Sequence, residues 1–311
     1  MNDSAAATRG TSTAGPSRRM LCLYGAMARH ELNQCLRADS IDAAPRQEEI
    51  RDRWRAASAA FRSRTEDRIP SPDAIVVREI APAQHGYLRS LESDEQFRRT
   101  FSSVRTSFAD VEIDPIVAAQ RSVNLDFIDL LKRKVPKDAD GLLRFCLGPG
   151  EATAGVRGVR NGAAGFSFTS DHPGLSFLGA WEGHFGSHGA AEPGGQPMVA
   201  ITAVLGFPAS TINGFRVGPR VILNNGFHRL YTLRALGFES APIVLLEIDN
   251  VELEMPESIA DLPSAYLAEA PRPSMMADFF DEALVCVLTQ PTPLRVLQIA
   301  WNINSCIVPK G

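Results

Sequence analysis

Val221-Ile222-Leu223-Asn224-Asn225-Gly226-Phe227-His228-Arg229-Leu230-Tyr231-Thr232-Leu233-Arg234-Ala235-Leu236-Gly237 reads as strand, glycine turn and helix in one short run. Arg220-Val221-Ile222-Leu223 is apolar and β-branched, and it ends at Asn224-Asn225-Gly226, residues that favour turns. Phe227, Leu230, Leu233 and Leu236 recur every three residues, which predicts a helix that Gly237 stops as a C-terminal cap. A turn glycine lets backbone approach a ligand closely. The free N–H groups of a helix start, with its dipole, favour an anion. His228 and Arg229 stand in that first turn, where they can add charge-assisted hydrogen bonds. A phosphate is the natural guest. The plainer alternative is an ordinary strand–helix corner, with Arg229 on the surface and His228 a satisfied polar residue.

Strand and helix alternate on both sides of this run. Met198–Phe207 and Ser210–Val217 predict two strands joined through Pro208, and Ala241–Ile248 predicts a buried strand. Between residues 146 and 196 lie 13 of the chain's 24 glycines. Glycine costs about 1 kcal/mol at a helical position, so this stretch predicts loops and short strands. Upstream, Glu48–Arg64 places Ile50, Trp54, Ala57 and Phe61 on one helical stripe. Ile75–Val77 with Ile80 predicts a strand, Leu91–Phe108 a helix and Val111–Ile113 a short strand. Ile116–Lys134 predicts a helix with Leu125, Phe127, Ile128 and Leu131 inward. A short helix is expected over Leu21–Leu36, after a Ser/Thr/Ala/Gly-rich tail. At the other end, Met275–Thr289 predicts a helix and Leu294–Trp301 a last strand.

The central run resembles the ParB/sulfiredoxin-like superfamily, whose members carry G-x-H-R or G-E-R-R at a helix start, a Leu-Gly ending and a proline-led strand. In this chain these are Gly226-Phe227-His228-Arg229, Leu236-Gly237 and Pro242-Ile243-Val244. The likeness covers residues 220–248 and extends loosely to Val111-Glu112-Ile113-Asp114-Pro115 with Gln120-Arg121. It implies an α/β (α+β) fold that holds nucleotide phosphates at this helix. Sulfiredoxins use ATP to repair an over-oxidised cysteine, ParB proteins bind and hydrolyse CTP as DNA clamps, and serine kinases of this fold use ADP. Carried over, Asn225, Gly226, Phe227, His228, Arg229 and Arg121 would bind the nucleotide, with His228 and Arg229 as the catalytic pair. The implied cofactor is ATP, ADP or CTP, with Mg²⁺. Phe227 stands where sulfiredoxin has its cysteine, which argues against sulfinic-acid repair, and Asn225 stands where some relatives have an acid.

The implied organisation is a disordered tail over 1–19, an N-terminal helical region over 20–69 and a ParB/sulfiredoxin-like core over 70–250. The core carries a large Gly-rich insertion at 136–196, and an acidic helix–strand extension follows over 251–311. The expected function is phosphate or nucleotide binding, serving a phosphotransferase or nucleotide hydrolase. The alternative is a non-catalytic scaffold whose acidic C-terminal segment contacts a partner protein.

Composition narrows the partners. Of 311 residues 44% are hydrophobic and 22% charged, with a net charge of −4, ordinary values that lack the basic field of a nucleic-acid binder. Residues 239–282 hold eleven Asp/Glu against the single Arg272, whereas residues 1–70 have a net charge of +3. That acidic segment is the stronger argument against DNA. No apolar run reaches the ~18–20 residues of a membrane span. Ser17-Arg18-Arg19-Met20-Leu21-Cys22-Leu23 resembles a twin-arginine export signal and Ala26-Met27-Ala28 imitates a cleavage site. The apolar stretch between them falls short of the ~7–15 residues of a signal core, so a cytoplasmic protein is expected. Cys22, Cys35, Cys146, Cys286 and Cys306 are scattered with no C-x-x-C pair, and read as reduced, mostly buried thiols.

A third reading is a metalloenzyme using His172, His184 and His188 beside Glu182, residue types that suit zinc or iron. The glycines around them argue against the helix on which that spacing works best. His184 is also a possible acid or base near the phosphate. The acidic run Glu247–Glu257 reads as a solvated face rather than a Mg²⁺ site.

Overall fold

A computed structural model describes residues 16–39, 44–64, 70–148, 155–162, 165–170, 174–184, 199–207 and 211–301. The first part of the chain comprises β1 (Ser17–Cys22), α1 (Arg29–Arg37), α2 (Ala44–Ser63), β2 (Val77–Arg78), α3 (His85–Ser93), α4 (Glu95–Thr100) and β3 (Thr106–Glu112). Then come β4 (Val117–Ala118), β5 (Ser122–Asn124), α5 (Leu125–Lys132), α6 (Ala139–Leu147), β6 (Arg157–Arg160), β7 (Gly165–Ser170), β8 (Ser176–His184) and β9 (Val199–Gly206). The last part holds β10 (Asn213–Val217), β11 (Arg220–Asn225), α7 (Phe227–Ala235), β12 (Ser240–Ile248), α8 (Val251–Glu254), β13 (Ser258–Ile259) and β14 (Leu262–Pro263). It closes with α9 (Ser264–Glu269), β15 (Cys286–Pro291) and β16 (Arg295–Ala300).

The fold is mixed α/β around a curled six-stranded sheet of order β2-β3-β12-β10-β11-β4. β10 and β11 form an antiparallel hairpin through Gly218, and α7 then carries the chain to β12, parallel to β10. β3 lies antiparallel to β12, and β4 pairs parallel with β11. β12 is buried along nearly its whole length, which explains its unbroken apolar reading. Ile113, Val221, Ile222, Leu230, Leu233, Ile243 and Val244 form the centre of the main core.

A second sheet, β15-β1-β5, joins three parts of the chain far apart in sequence. Its β1 strand lies between the other two, so the N-terminal and C-terminal segments share one sheet with the central region. Behind it, a smaller core gathers Met20, Tyr24, Leu32, Leu36, Ile50, Ala57 and Leu288. The expected stripe of α2 is borne out, with Ile50, Ala57 and Phe61 all buried.

Several expected elements differ. The helix expected over Leu21–Leu36 is two things: Met20–Cys22 finish β1, and only Arg29–Arg37 is α-helical. The helix expected over Leu91–Phe108 breaks at Asp94, whose carboxylate accepts from the Phe97 N–H at 2.9 Å and starts α4. From Thr106 the chain is strand, because β12 offers it a partner. In Ile116–Lys134 only the second half is helix, started by Asn124, whose Oδ1 accepts from the Asp126 and Phe127 N–H groups. The helix expected over Met275–Thr289 is a short 3₁₀ turn, Met276–Phe280, followed by β15, which β1 draws into its sheet. Within 136–196, α6 was not foreseen. Asp138 caps it, accepting from Gly141 N–H at 2.7 Å. No helix among the described residues is long and apolar enough to cross a membrane.

Candidate functional site

Gly226 opens α7 in the left-handed region, with φ +97. A Cβ there would lie 2.8 Å from Ile212 Cγ1 and 2.9 Å from Ile212 Cα. Ile212 cannot retreat easily, because its N–H donates to the Cys146 carbonyl at 2.8 Å and its own carbonyl accepts from Val244 N–H at 3.0 Å. The glycine is therefore required by internal packing as well as by the turn. Asn225 Oδ1 accepts from the Gly226 N–H at 2.7 Å, and Phe227 is buried in the core. No acidic residue stands in the first turn of α7.

Arg229 reaches inward from that first turn. Its Nη1 donates to the carbonyls of Phe145 at 2.7 Å and Cys146 at 3.2 Å, in the last turn of α6. It thus satisfies carbonyls that a helix end leaves orphaned. Burial pushes the guanidinium down to about 10, with the neighbouring Cys146 thiol opposing that shift. Burial likewise pushes Cys146 up to about 12, so the thiol stays protonated near neutral pH. The other terminal nitrogen of Arg229, Nη2, is buried and has no hydrogen-bond partner among the described residues.

His228 turns the other way. Its Nε2 accepts from the Asn124 N–H at 3.0 Å, and its ring meets Phe127 edge-on at 5.3 Å between centroids. In this arrangement the ring is neutral at Nε2 and ties α7 to the β5–α5 junction. Arg121 pairs with Glu31 of α1 rather than facing α7. The α7 terminus thus brings together Asn225, Gly226, Phe227, His228 and Arg229, but Arg121 lies in a different contact.

Part of the acidic segment is engaged within the chain. Asp278 is fully buried and pairs with Arg272, while Asp281 pairs with Arg64. Glu247 accepts from Ser107 Oγ at 2.6 Å, and Glu254 accepts from the Asp249 and Asn250 N–H groups. Among the described residues no group of three or more His, Cys, Asp or Glu is placed to hold a metal ion. His172 and His188 lie outside the described residues; Glu182 and His184 stand in the backbone of β8.

Sequence reasoning missed the α6 terminus and Ile212, which build the other wall of this junction. Asp138, three residues before Gly141, was a readable helix-start signal. Nothing local announces that α6 ends against α7. Compared with known protein families, with curated proteins and with solved structures, the chain has no match in any of the three.

Proposed function

We propose that the chain binds a phosphate group, most simply that of a nucleotide, at the α7 N-terminus. The observation that carries this reading is Arg229 Nη2, a buried cationic donor with spare capacity beside a helix start. A buried unsatisfied donor is costly, and an anion is the ligand that relieves it. The order hairpin, helix, parallel strand across β10, β11, α7 and β12 supports the ParB/sulfiredoxin-like resemblance of the same residues. Phosphoryl transfer is the reaction class such a site serves, because that chemistry depends on positioning and charge neutralisation. Arg229 would supply the charge, and His228 acts as a positioning residue through Asn124.

Calorimetric titration with ATP, ADP, CTP and GTP, with and without Mg²⁺, tests it. Binding of at least one is expected, weakened about tenfold or more in Arg229→Lys, since lysine cannot span two sites as the guanidinium fork does. No binding to any of the four, or equal binding by Arg229→Lys with an unchanged unfolding midpoint, overturns it.

An interaction scaffold is the second reading, favoured by apolar side chains on the smaller sheets. Ile201 is 83% exposed, Phe177 54% and Val159 62%. Deleting the C-terminal segment would not test it cleanly, because β15 is a sheet partner of β1. Ile201→Asp is the sharper variant: loss of a stoichiometric partner from native lysate supports the scaffold.

A further inference from the structure

Charge interrupts the apolar stripe of α2 in its first half. Arg46, Glu49 and Arg53 share one helix face with the buried Ile50, at spacings of three and four residues. Farther along, Ala57 and Phe61 continue that face as buried apolar side chains. The charged part of the face borders a cavity of about 320 Å³. The chain entering β15 borders it too, through Glu282, Val285 and Val287, and Leu21 of β1 adds to the aliphatic lining.

The charges on this lining do not cancel one another. Arg46 is engaged: its Nη1 donates at 3.1 Å to the Asp39 carboxylate, which also accepts from the Thr289 N–H at 3.1 Å. Glu49, Arg53 and Glu282 form no ion pair among the described residues. The groups that Arg53 acts on are neutral near pH 7. They are the Tyr24 phenol, raised by burial, and the Cys286 thiol, pushed by burial up to about 12, with Arg53 opposing both shifts. The cavity thus presents one unmatched guanidinium and two unmatched carboxylates beside aliphatic surface. A pocket with an apolar body and a few charged groups selects a ligand that complements both.

We propose that this cavity binds a free basic α-amino acid of the lysine or ornithine type. Its carboxylate pairs with the Arg53 guanidinium, whose fork matches a planar carboxylate. Its two ammonium groups pair with Glu49 and Glu282, and its methylene chain lies on Ile50, Val285 and Leu21. An aliphatic amino acid leaves one glutamate unmatched. A diamine leaves Arg53 without an anion, and an acidic amino acid sets like charge against Glu49 and Glu282. The site lies away from the α7 terminus and does not depend on phosphate binding there.

The test is calorimetric titration of the full chain with L-lysine, L-ornithine, L-leucine, L-glutamate and cadaverine, the diamine that is lysine without its carboxylate. Saturable binding of lysine or ornithine is expected, with the other three at least about tenfold weaker. Nα-acetyl-L-lysine, which stands for a lysine within a peptide, should also bind about tenfold more weakly, because it lacks the α-ammonium. Arg53→Gln and Glu282→Gln should each weaken lysine about tenfold. Both positions are exposed, so the unfolding midpoint without ligand should stay at the parent's value. No saturable binding of lysine or ornithine, equal binding of leucine, cadaverine or acetyl-lysine, or lysine binding unchanged in either variant overturns the proposal. Where a variant lowers the unfolding midpoint, the ligand series on the parent chain decides.

Discussion

Arg229 in the first turn of α7 donates from Nη1 to the Phe145 carbonyl in the last turn of α6, at 2.7 Å and across 84 residues of chain. A second bond from the same nitrogen reaches Cys146 O at 3.2 Å. One side chain therefore closes the end of one helix from the start of another. Removing it leaves two carbonyls without that donor, although it also removes a desolvated charge. Arg229→Ala is expected to cost roughly 2–4 kcal/mol, the range for hydrogen bonds from a charged group together with groups left unpaired. Arg229→Lys should cost less, since an ammonium can still serve one carbonyl. Urea unfolding of the two variants against the parent chain measures both, and an Arg229→Ala midpoint equal to the parent's would refute the structural role.

Gly226 and Gly237 bound the same helix, both in the left-handed region, with φ +97 and φ +90. They differ in what a side chain would meet. A Cβ at Gly226 runs into Ile212, whereas at Gly237 nothing lies within 4 Å. Gly237→Ala should therefore cost about 1 kcal/mol, for backbone strain alone. Gly226→Ala should cost roughly 2–5 kcal/mol, strain plus overpacking. Chemical denaturation gives the comparison directly, and equal losses would mean that Ile212 yields.

The contrast between these two glycines also shows what the sequence makes legible. Gly226, Gly237 and the three-residue recurrence between them are local signals, and the strand–turn–helix–strand order from 220 to 248 follows from them. The direction of Arg229 is not local. It depends on α6 ending beside Ile212, a meeting set by residues 66 positions apart whose backbones bond. The smaller sheet was hidden for the same reason. Met20-Leu21-Cys22-Leu23 is too short an apolar run to separate strand from helix, and only β5 and β15 on either side make it a strand. The acidic segment misled in another way: a net charge counts carboxylates without telling which are buried against an arginine, as Asp278 is.

Asp278 accepts three times in a site closed to solvent, from Arg272 Nη2 at 2.5 Å and Nη1 at 3.1 Å and from the Met275 N–H at 2.8 Å. Arg272 also lies over the Phe61 ring, at 4.6 Å to its centroid, so the pair links the C-terminal turn to α2. Breaking a buried ion pair from one side strands the other charge. Asp278→Ala is expected to cost about 3–5 kcal/mol, and Arg272→Met, which keeps contact with Phe61, should cost less. Equilibrium unfolding of the two single variants and their double variant tests this. Losses that simply add in the double variant would show that the charges do not interact.

Arg220 and Asp73 supply a pH dependence whose sign is determined by the geometry. Arg220 Nη2 donates to Asp73 Oδ2 at 2.9 Å, while Nη1 donates to the Ala270 carbonyl at 2.9 Å. The hydrogen bond from Arg220, and then its charge, hold the Asp73 carboxyl below its ordinary range. A carboxylate lowered in the folded state stabilises the fold above its unfolded value and loses that contribution as pH falls through the folded one. Asp73→Asn should therefore be less stable than the parent by a constant amount above about pH 5. The gap should narrow below about pH 4, where the unfolded carboxylate begins to protonate. Because Asp73 is half-exposed, the effect is modest and is further reduced by salt. Urea midpoints measured from neutral to acid pH, at low and high salt, check it; a gap that widens toward acid would reverse the sign and rule out this ion pair as the source.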